Sequence, residues 1–354
     1  MLPNKKSNTN HLNENEIRRV TALWAFSEAA FGGILHALRI PLTGIFIGSA
    51  AVMFITLLSY YSSDKKNILR ATIVVVIVKA LISPHTPLTA YFAVFLQGIM
   101  GYLLFSLFKS HKISAFILGL FSLLYSAFHR VIILTVVFGA ALWQSLDEFA
   151  KFILLQLGIA ESETVFSFSF LLIGLYVSLH LAAGIYIGIK AGKLDKWLES
   201  KRPQIEGSFT DNYYNAVFEK KNKGKRKYWW KRPSGIVLIT FLLAALLISY
   251  FSPAFNENRT VEILIMIFRS VVILFLWFVV IAPLAAKLFK KIIEKKKFEK
   301  ASEINFITNL FPRIQQVINY CWKSTTHLKG ITRFKKFLSD SLAMLLILEI
   351  NNNG

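Results

Sequence analysis

The chain has 354 residues, is 55% hydrophobic and 14% aromatic, and has a mean hydropathy of +0.51. No soluble domain of this length needs so much apolar surface, and it comes in runs long enough to cross a hydrocarbon core of roughly 30 Å. A formal net charge of +21 would suit nucleic acid. However, Lys and Arg crowd into alternate loops and no aromatic-studded basic domain accompanies them, so nucleic acid is set aside as a partner.

Residues 1–19 are polar and mixed in charge, without an apolar run before a small-residue cleavage site, and read as a cytoplasmic tail. The first apolar segment, residues 20–38, shows two faces at helical spacing. Ala25, Ala29, Gly33 and Ala37 form a small-residue stripe of the kind that lets membrane helices approach closely. About a third of a turn away, Glu28, Gly32 and His36 carry two ionisable groups to membrane depth, where charge is costly and by default faces protein or a water-filled cavity.

Ile40-Pro41 ends that segment, and a second follows over residues 42–61, with Gly44, Gly48, Ala50 and Ala51 near its start. After a basic loop, residues 68–83 form a third segment, closed by the rigid turn Ser83-Pro84-His85-Thr86-Pro87. The fourth covers residues 88–108. The fifth, residues 113–143, is too long for a simple span and must tilt, bend or project beyond the bilayer. Residues 144–164 hold Asp147, Glu148, Glu161 and Glu163 against Lys151 alone, a pattern for a helix lying along the outer interface.

The sixth segment, residues 165–189, is rich in small residues. A hydrophilic stretch, residues 190–232, then carries thirteen basic and five acidic side chains. Segments seven (236–250) and eight (261–286) read as a hairpin. The tail beyond it is basic and amphipathic, with Phe306, Ile307, Leu310, Phe311, Ile314, Val317, Ile318 and Cys321 at helical spacing and Pro312 expected in a first turn or at a kink. These apolar faces suit the inner leaflet or a cytoplasmic partner. Basic loops follow segments two, four, six and eight, which predicts a multi-pass protein of a cell inner membrane with both termini cytoplasmic. The expected fold is therefore an all-α transmembrane bundle. Residues 20–192 form a six-helix body, 193–232 a basic linker, 233–288 a two-helix hairpin and 289–354 a cytoplasmic tail.

No catalytic motif is present: there is no P-loop, Gly-x-Ser-x-Gly, HExxH or glycine-rich dinucleotide turn, so no enzyme activity and no cofactor are expected. Cys321 is the single cysteine, which rules out an internal disulfide. What remains is a polar set at membrane depth: Glu28, His36, Arg39, Lys79, His85, Gln97, His129 and Arg130, placed to line one outward-facing pocket. Arg39, Lys79 and Arg130 suit an anionic or carboxylate-bearing solute. The competing readings are helix-end anchoring for Arg39 and His85 and snorkelling for Lys79. His36, His85 and His129 come from three helices with cations nearby, which disfavours a metal. His180 reads as an interhelical hydrogen bonder, and Gln97 with Gly98 and Gly101 as close helix packing or a ligand contact.

Residues 20–192 resemble the substrate-binding S component of energy-coupling-factor vitamin transporters. The likeness is carried by Ala25, Ala29 and Gly33, similar to the Ala-x-x-x-Ala surface by which S components meet their transmembrane T partner. It continues through Ile40-Pro41-Leu42-Thr43-Gly44, the Ser83–Pro87 turn and Gln97-Gly98-Ile99-Met100-Gly101. The pattern is also similar to S-like proteins described as a component of heptaprenyl diphosphate synthesis. The resemblance implies six helices, a solute pocket near the outer face, docking through Ala25, Ala29 and Gly33, and a T-like transmembrane protein with ATPase subunits as partners. The expected function is solute binding within a multi-subunit importer of a small anionic vitamin or metabolite. The competitor is a membrane scaffold that recruits partners through its tail, and a lipid-modifying membrane enzyme ranks last for want of an acid/base or metal cluster.

Overall fold

The structure, a computed structural model, describes residues 5–37, 42–83, 86, 88–158, 167–208, 288, 291, 293, 294, 296 and 299–347. Every regular element among them is helical. In chain order they are α1 (Lys5–Phe26), a π-helical turn (Ser27–Phe31), α2 (Gly32–Ala37), α3 (Thr43–Tyr61), α4 (Lys66–Ile82), α5 (Leu88–Leu107) and α6 (His111–Phe138). They continue as α7 (Ala140–Gln156), α8 (Phe168–Ala191), α9 (Leu194–Ser208), α10 (Ala301–Ser324) and α11 (Gly330–Ile347). Segments seven and eight of the sequence reading lie outside the described residues.

Four helices, α3, α5, α6 and α8, are long and apolar enough to cross a membrane. Their outward faces carry side chains that a soluble protein would bury, among them Phe92, Ile132, Val136, Phe170 and Leu175. Apolar surface that is exposed in the isolated chain and continuous along such helices identifies a membrane protein. Helix α1 with the π-helical turn packs on α3 and α4, and α4 packs on α3 and α5; they hold Arg18, Arg19, Glu28 and Lys79, and α4 is 17 residues long.

Helix α3 stands centrally, touching α1, α4, α5, α6, α8 and α9. Its inner face (Ile55, Leu57 and Leu58) meets Trp24 of α1 and Ile68 and Ile77 of α4 in one fully buried cluster. At the other side of the bundle α6 crosses α8 backbone to backbone. A Cβ on Gly119 would stand 2.7 Å from the Gly184 carbonyl oxygen, and one on Gly188 would stand 2.8 Å from Phe116 Cα. Gly184 and Gly188 are spaced to present one smooth face, so the two helices approach as closely as backbones allow.

The long fifth segment is interrupted, which is among the courses its length allowed: Gly139, at φ 74°, ends α6 and starts α7. A residue with a Cβ rarely adopts that conformation, and one glycine in an apolar run gives little warning of it. The opening tail is helical from Lys5 and runs into the first segment without a break. Likewise the start of the basic linker is α9, whose Leu194, Leu198 and Ile205 are buried as it packs on α11 and α3.

The C-terminal helices fold back onto the body. Ile304, Ile307, Leu310, Ile314, Val317 and Cys321 form the buried face of α10, which lies against α1, α4 and α11. The face that reads as suited to a leaflet or a partner is thus covered by the chain itself. Pro312 sits inside α10, close to where Phe311 meets Phe26 edge-on at 5.1 Å. Arg19, buried, donates to the Leu346 carbonyl at 2.9 Å and lies 3.6 Å from Glu16, tying α1 to the end of α11.

Candidate functional site

The polar residues at membrane depth separate into two groups. In the first, the Lys79 ammonium of α4 donates to Glu28 Oε2 at 2.6 Å, with side-chain exposures of 5% and 1%. Glu28 sits in the π-helical turn, where the Gly32 amide donates to the Ser27 carbonyl five residues back. Such turns shift side-chain register inside a helix and are frequent at functional sites. The Lys79 Nζ also stands 6.0 Å from the centroid of Tyr91, whose hydroxyl donates to the Ser83 carbonyl at 3.2 Å.

This pair is incompletely satisfied. Glu28 Oε1 is buried without a hydrogen-bond partner among the described residues, and so is the indole Nε1 of Trp24, one turn earlier on α1. Lys79 has three donors, of which Glu28 Oε2 takes one. A buried carboxylate oxygen without a partner is costly, because the interior offers nothing in place of water. The arrangement therefore has the capacity to accept further polar contacts on both its anionic and its cationic member.

The second group lies between α3, α5 and α6. Gln97 is buried, with its Nε2 against Gly48 of α3 beside Leu123. On α6 the His129 ring lies 5.6 Å from Tyr125, which in turn faces Phe92 of α5 at 6.5 Å. Ser122 Oγ and Tyr125 Oη are buried without hydrogen-bond partners among the described residues. Ser126 crowds Gly44, just after Leu42, which holds a left-handed backbone at φ 61°. Sequence reasoning missed Tyr125, Ser122 and Trp24, since isolated polar side chains in apolar helices carry no spacing signal.

Of the eight residues expected to line one pocket, the structure brings Glu28 and Lys79 into contact, places Gln97 at the α3–α5–α6 junction, and leaves His129 half-buried on α6 beside Tyr125. Arg130 is exposed on α6. His36 lies in α2 by its backbone. Its side chain, together with Arg39 and His85, falls outside the described residues. Ala25 is fully buried and Ala29 nearly so within this single chain, and a Cβ on Gly33 would meet Ser83 Oγ at 3.5 Å. Two of the three residues expected to dock a partner, Ala25 and Ala29, are therefore covered by the chain's own packing, and Gly33 is half-buried.

One smaller expectation changes, and for Gly98 and Gly101 one of the two readings is supported. His180 bonds within its own helix, Nδ1 donating to the Tyr176 carbonyl at 2.9 Å, rather than across helices. Gly98 and Gly101 are packing positions: a side chain on them would run into Thr72 of α4 and Ile55 of α3. Among the described residues no three His, Cys, Asp or Glu side chains converge as a metal site would require. No family model matches the chain, and no curated protein or solved structure matches it.

Proposed function

We propose that the chain is a membrane-embedded solute-binding subunit of a multi-subunit importer, taking a small anionic vitamin or metabolite beside Glu28 and Lys79. The observation that carries this reading is the buried pair itself: a 2.6 Å ion pair, nearly inaccessible, whose carboxylate keeps one oxygen without a partner among the described residues. A solute carboxylate or phosphate would take the remaining Lys79 donors, and a donor on the same solute would satisfy Glu28 Oε1. Intramembrane ionisable residues mark substrate paths by default, and this pair sits where a π-helical turn re-aims one of its members.

The proposal includes a six-helix body over residues 20–192 and cytoplasmic termini at a cell inner membrane, supported by the alternation of basic and poor loops. It also includes a T-like transmembrane protein and ATPase subunits as partners, supported by the sequence resemblance to S components. With Ala25 and Ala29 buried, those partners would meet one of the exposed apolar faces instead.

The test is mass spectrometry of the tagged protein purified gently from its native membrane, scoring proteins and small molecules together. The importer reading expects ATPase subunits, a T-like protein and an anionic small molecule that is lost from Lys79→Met. Retention of the same molecule by that variant removes the site, and absence of any ATPase removes the importer.

A further inference from the structure

Helix α11 is two different halves. From Ser341 to Ile347 nearly every side chain is buried, whereas Ile331, Phe334 and Leu338 stand 74%, 54% and 43% exposed. Their spacing of three and four residues puts them on one face, with Lys335 at its edge. Trp322, exposed at the end of α10, joins this surface: its ring meets Phe337 edge-on at 5.1 Å, and Phe337 in turn lies 6.5 Å from Phe334. The Arg333 guanidinium lies 4.1 Å from the Trp322 ring centroid and donates to the Trp322 carbonyl, which fixes the turn between the helices.

The charge around this surface has one sign. Lys323, Lys329, Arg333, Lys335 and Lys336 surround it, and the single acid between Trp322 and Ile347 is Asp340, paired with Lys336 at 3.2 Å. Exposed aliphatic and aromatic side chains rimmed by lysines, with a tryptophan at the margin, match the layered chemistry of a membrane–water interface: hydrocarbon below, anionic headgroups above. The same chain carries four helices fit to cross a membrane, so a bilayer is always within reach.

We propose that the first half of α11, with Trp322, lies in the headgroup layer of an anionic leaflet, Ile331, Phe334 and Leu338 entering the acyl boundary and the lysines holding lipid phosphates. The commitment to anionic lipid rests on the charge: with Lys336 paired to Asp340, a neutral apolar partner would leave the other four cations without counter-charge among the described residues, whereas an anionic headgroup layer complements them and needs no defined counterpart surface. This inference does not depend on the solute proposed above.

The experiment uses the full chain in nanodiscs of phosphatidylcholine alone or of phosphatidylcholine with phosphatidylglycerol. An environment-sensitive dye is placed at Phe334→Cys in a Cys321→Ala background. The same label on the protein that retains Cys321 checks that the background is folded. Nitroxide-bearing lipid is expected to quench the dye several-fold more in the anionic discs. The difference should vanish at high salt or with Lys329→Glu and Lys335→Glu together. Equal quenching in both discs overturns the lipid-charge assignment. A dye that stays accessible to aqueous quencher in both overturns membrane contact. A dye shielded both from aqueous quencher and from nitroxide-bearing lipid assigns the face to protein, a second copy or a segment of the chain, and also overturns the proposal.

Discussion

Glu28 of the first membrane segment and Lys79 of α4 form a 2.6 Å ion pair across 51 positions of sequence, both side chains nearly inaccessible. Their contact joins the helix that contains the π-helical turn to the one that ends at Ser83. Removing one partner leaves the other charged and buried, so Glu28→Gln or Lys79→Met alone should cost about 3–5 kcal/mol. The double variant Glu28→Gln/Lys79→Met should recover most of that loss, since both desolvated charges are then gone. Thermal or denaturant unfolding of the four proteins completes the cycle. Additive losses would show that the two residues do not act as a pair.

A second expectation concerns the α6–α8 crossing. Gly188→Leu places a side chain where Phe116 Cα would lie 2.8 Å from its first carbon, so the helices must separate. The predicted cost is at least about 1–3 kcal/mol, with reduced yield of monodisperse protein. Gly174, on the same helix but facing open space, is the control: Gly174→Leu should leave the melting temperature unchanged. A similar loss at both positions would count against the backbone-to-backbone contact.

Asp147 of α7 caps the start of α8. Its carboxylate accepts from the Ser169 amide at 2.6 Å and from the Ser169 and Ser167 hydroxyls at 2.9 and 3.1 Å. Burial pushes its pKa up, and these hydrogen bonds, with one from the Phe168 amide, outweigh that and hold it below the ordinary value of 3.8. A depressed folded-state pKa contributes stability that is present above the unfolded value and is lost as pH falls through the folded one. Asp147→Asn should therefore melt below wild type at neutral pH, with the gap closing as the solution is acidified past the ordinary aspartate range. A gap independent of pH would mean that Asp147 acts by shape alone.

The single cysteine reports on the fold of the C-terminal helices. Cys321 is fully buried between α10 and α11, with its thiol 3.4 Å from the Met344 sulfur, and burial pushes its pKa up to about 11. A protonated, inaccessible thiol does not alkylate, so the intact protein should resist maleimide. Arg19→Ala removes the bond to the Leu346 carbonyl and should raise the labelling rate at least several-fold. Fast labelling of the wild type would mean that α10 and α11 are not docked as described.

The limits of α3, α4 and α5 were legible in the sequence to within about two residues, because long apolar runs bounded by proline or charge have few alternative readings. Glu28 and Lys79 stood out in the sequence as charge within apolar segments, but nothing local in the sequence pairs residues on different helices. Composition hid α9, whose Leu194, Leu198 and Ile205 are too sparse among lysines and acids to register as an apolar face. The covering of α10 was illegible for a different reason. An amphipathic helix looks the same whether its apolar side meets lipid, a partner or its own chain, and only the tertiary contact with α1 and α4 decides.

The π-helical turn at Ser27–Phe31 puts α1 and α2 out of phase. Each such turn takes up one extra residue, so the faces of the first membrane helix before and after it are offset by about 100° from a continuous α-helical wheel. A face drawn through Ala25, Ala29 and Gly33 thus joins two helices with different origins of rotation. Deleting one residue between Ser27 and Phe31 would restore a single wheel and swing Gly32 and everything beyond it away from Ile47 of α3, without changing any side chain that remains. That one supernumerary residue thereby sets which side of the first segment faces α3 beyond the turn, while the buried carboxylate within the turn meets Lys79 of α4.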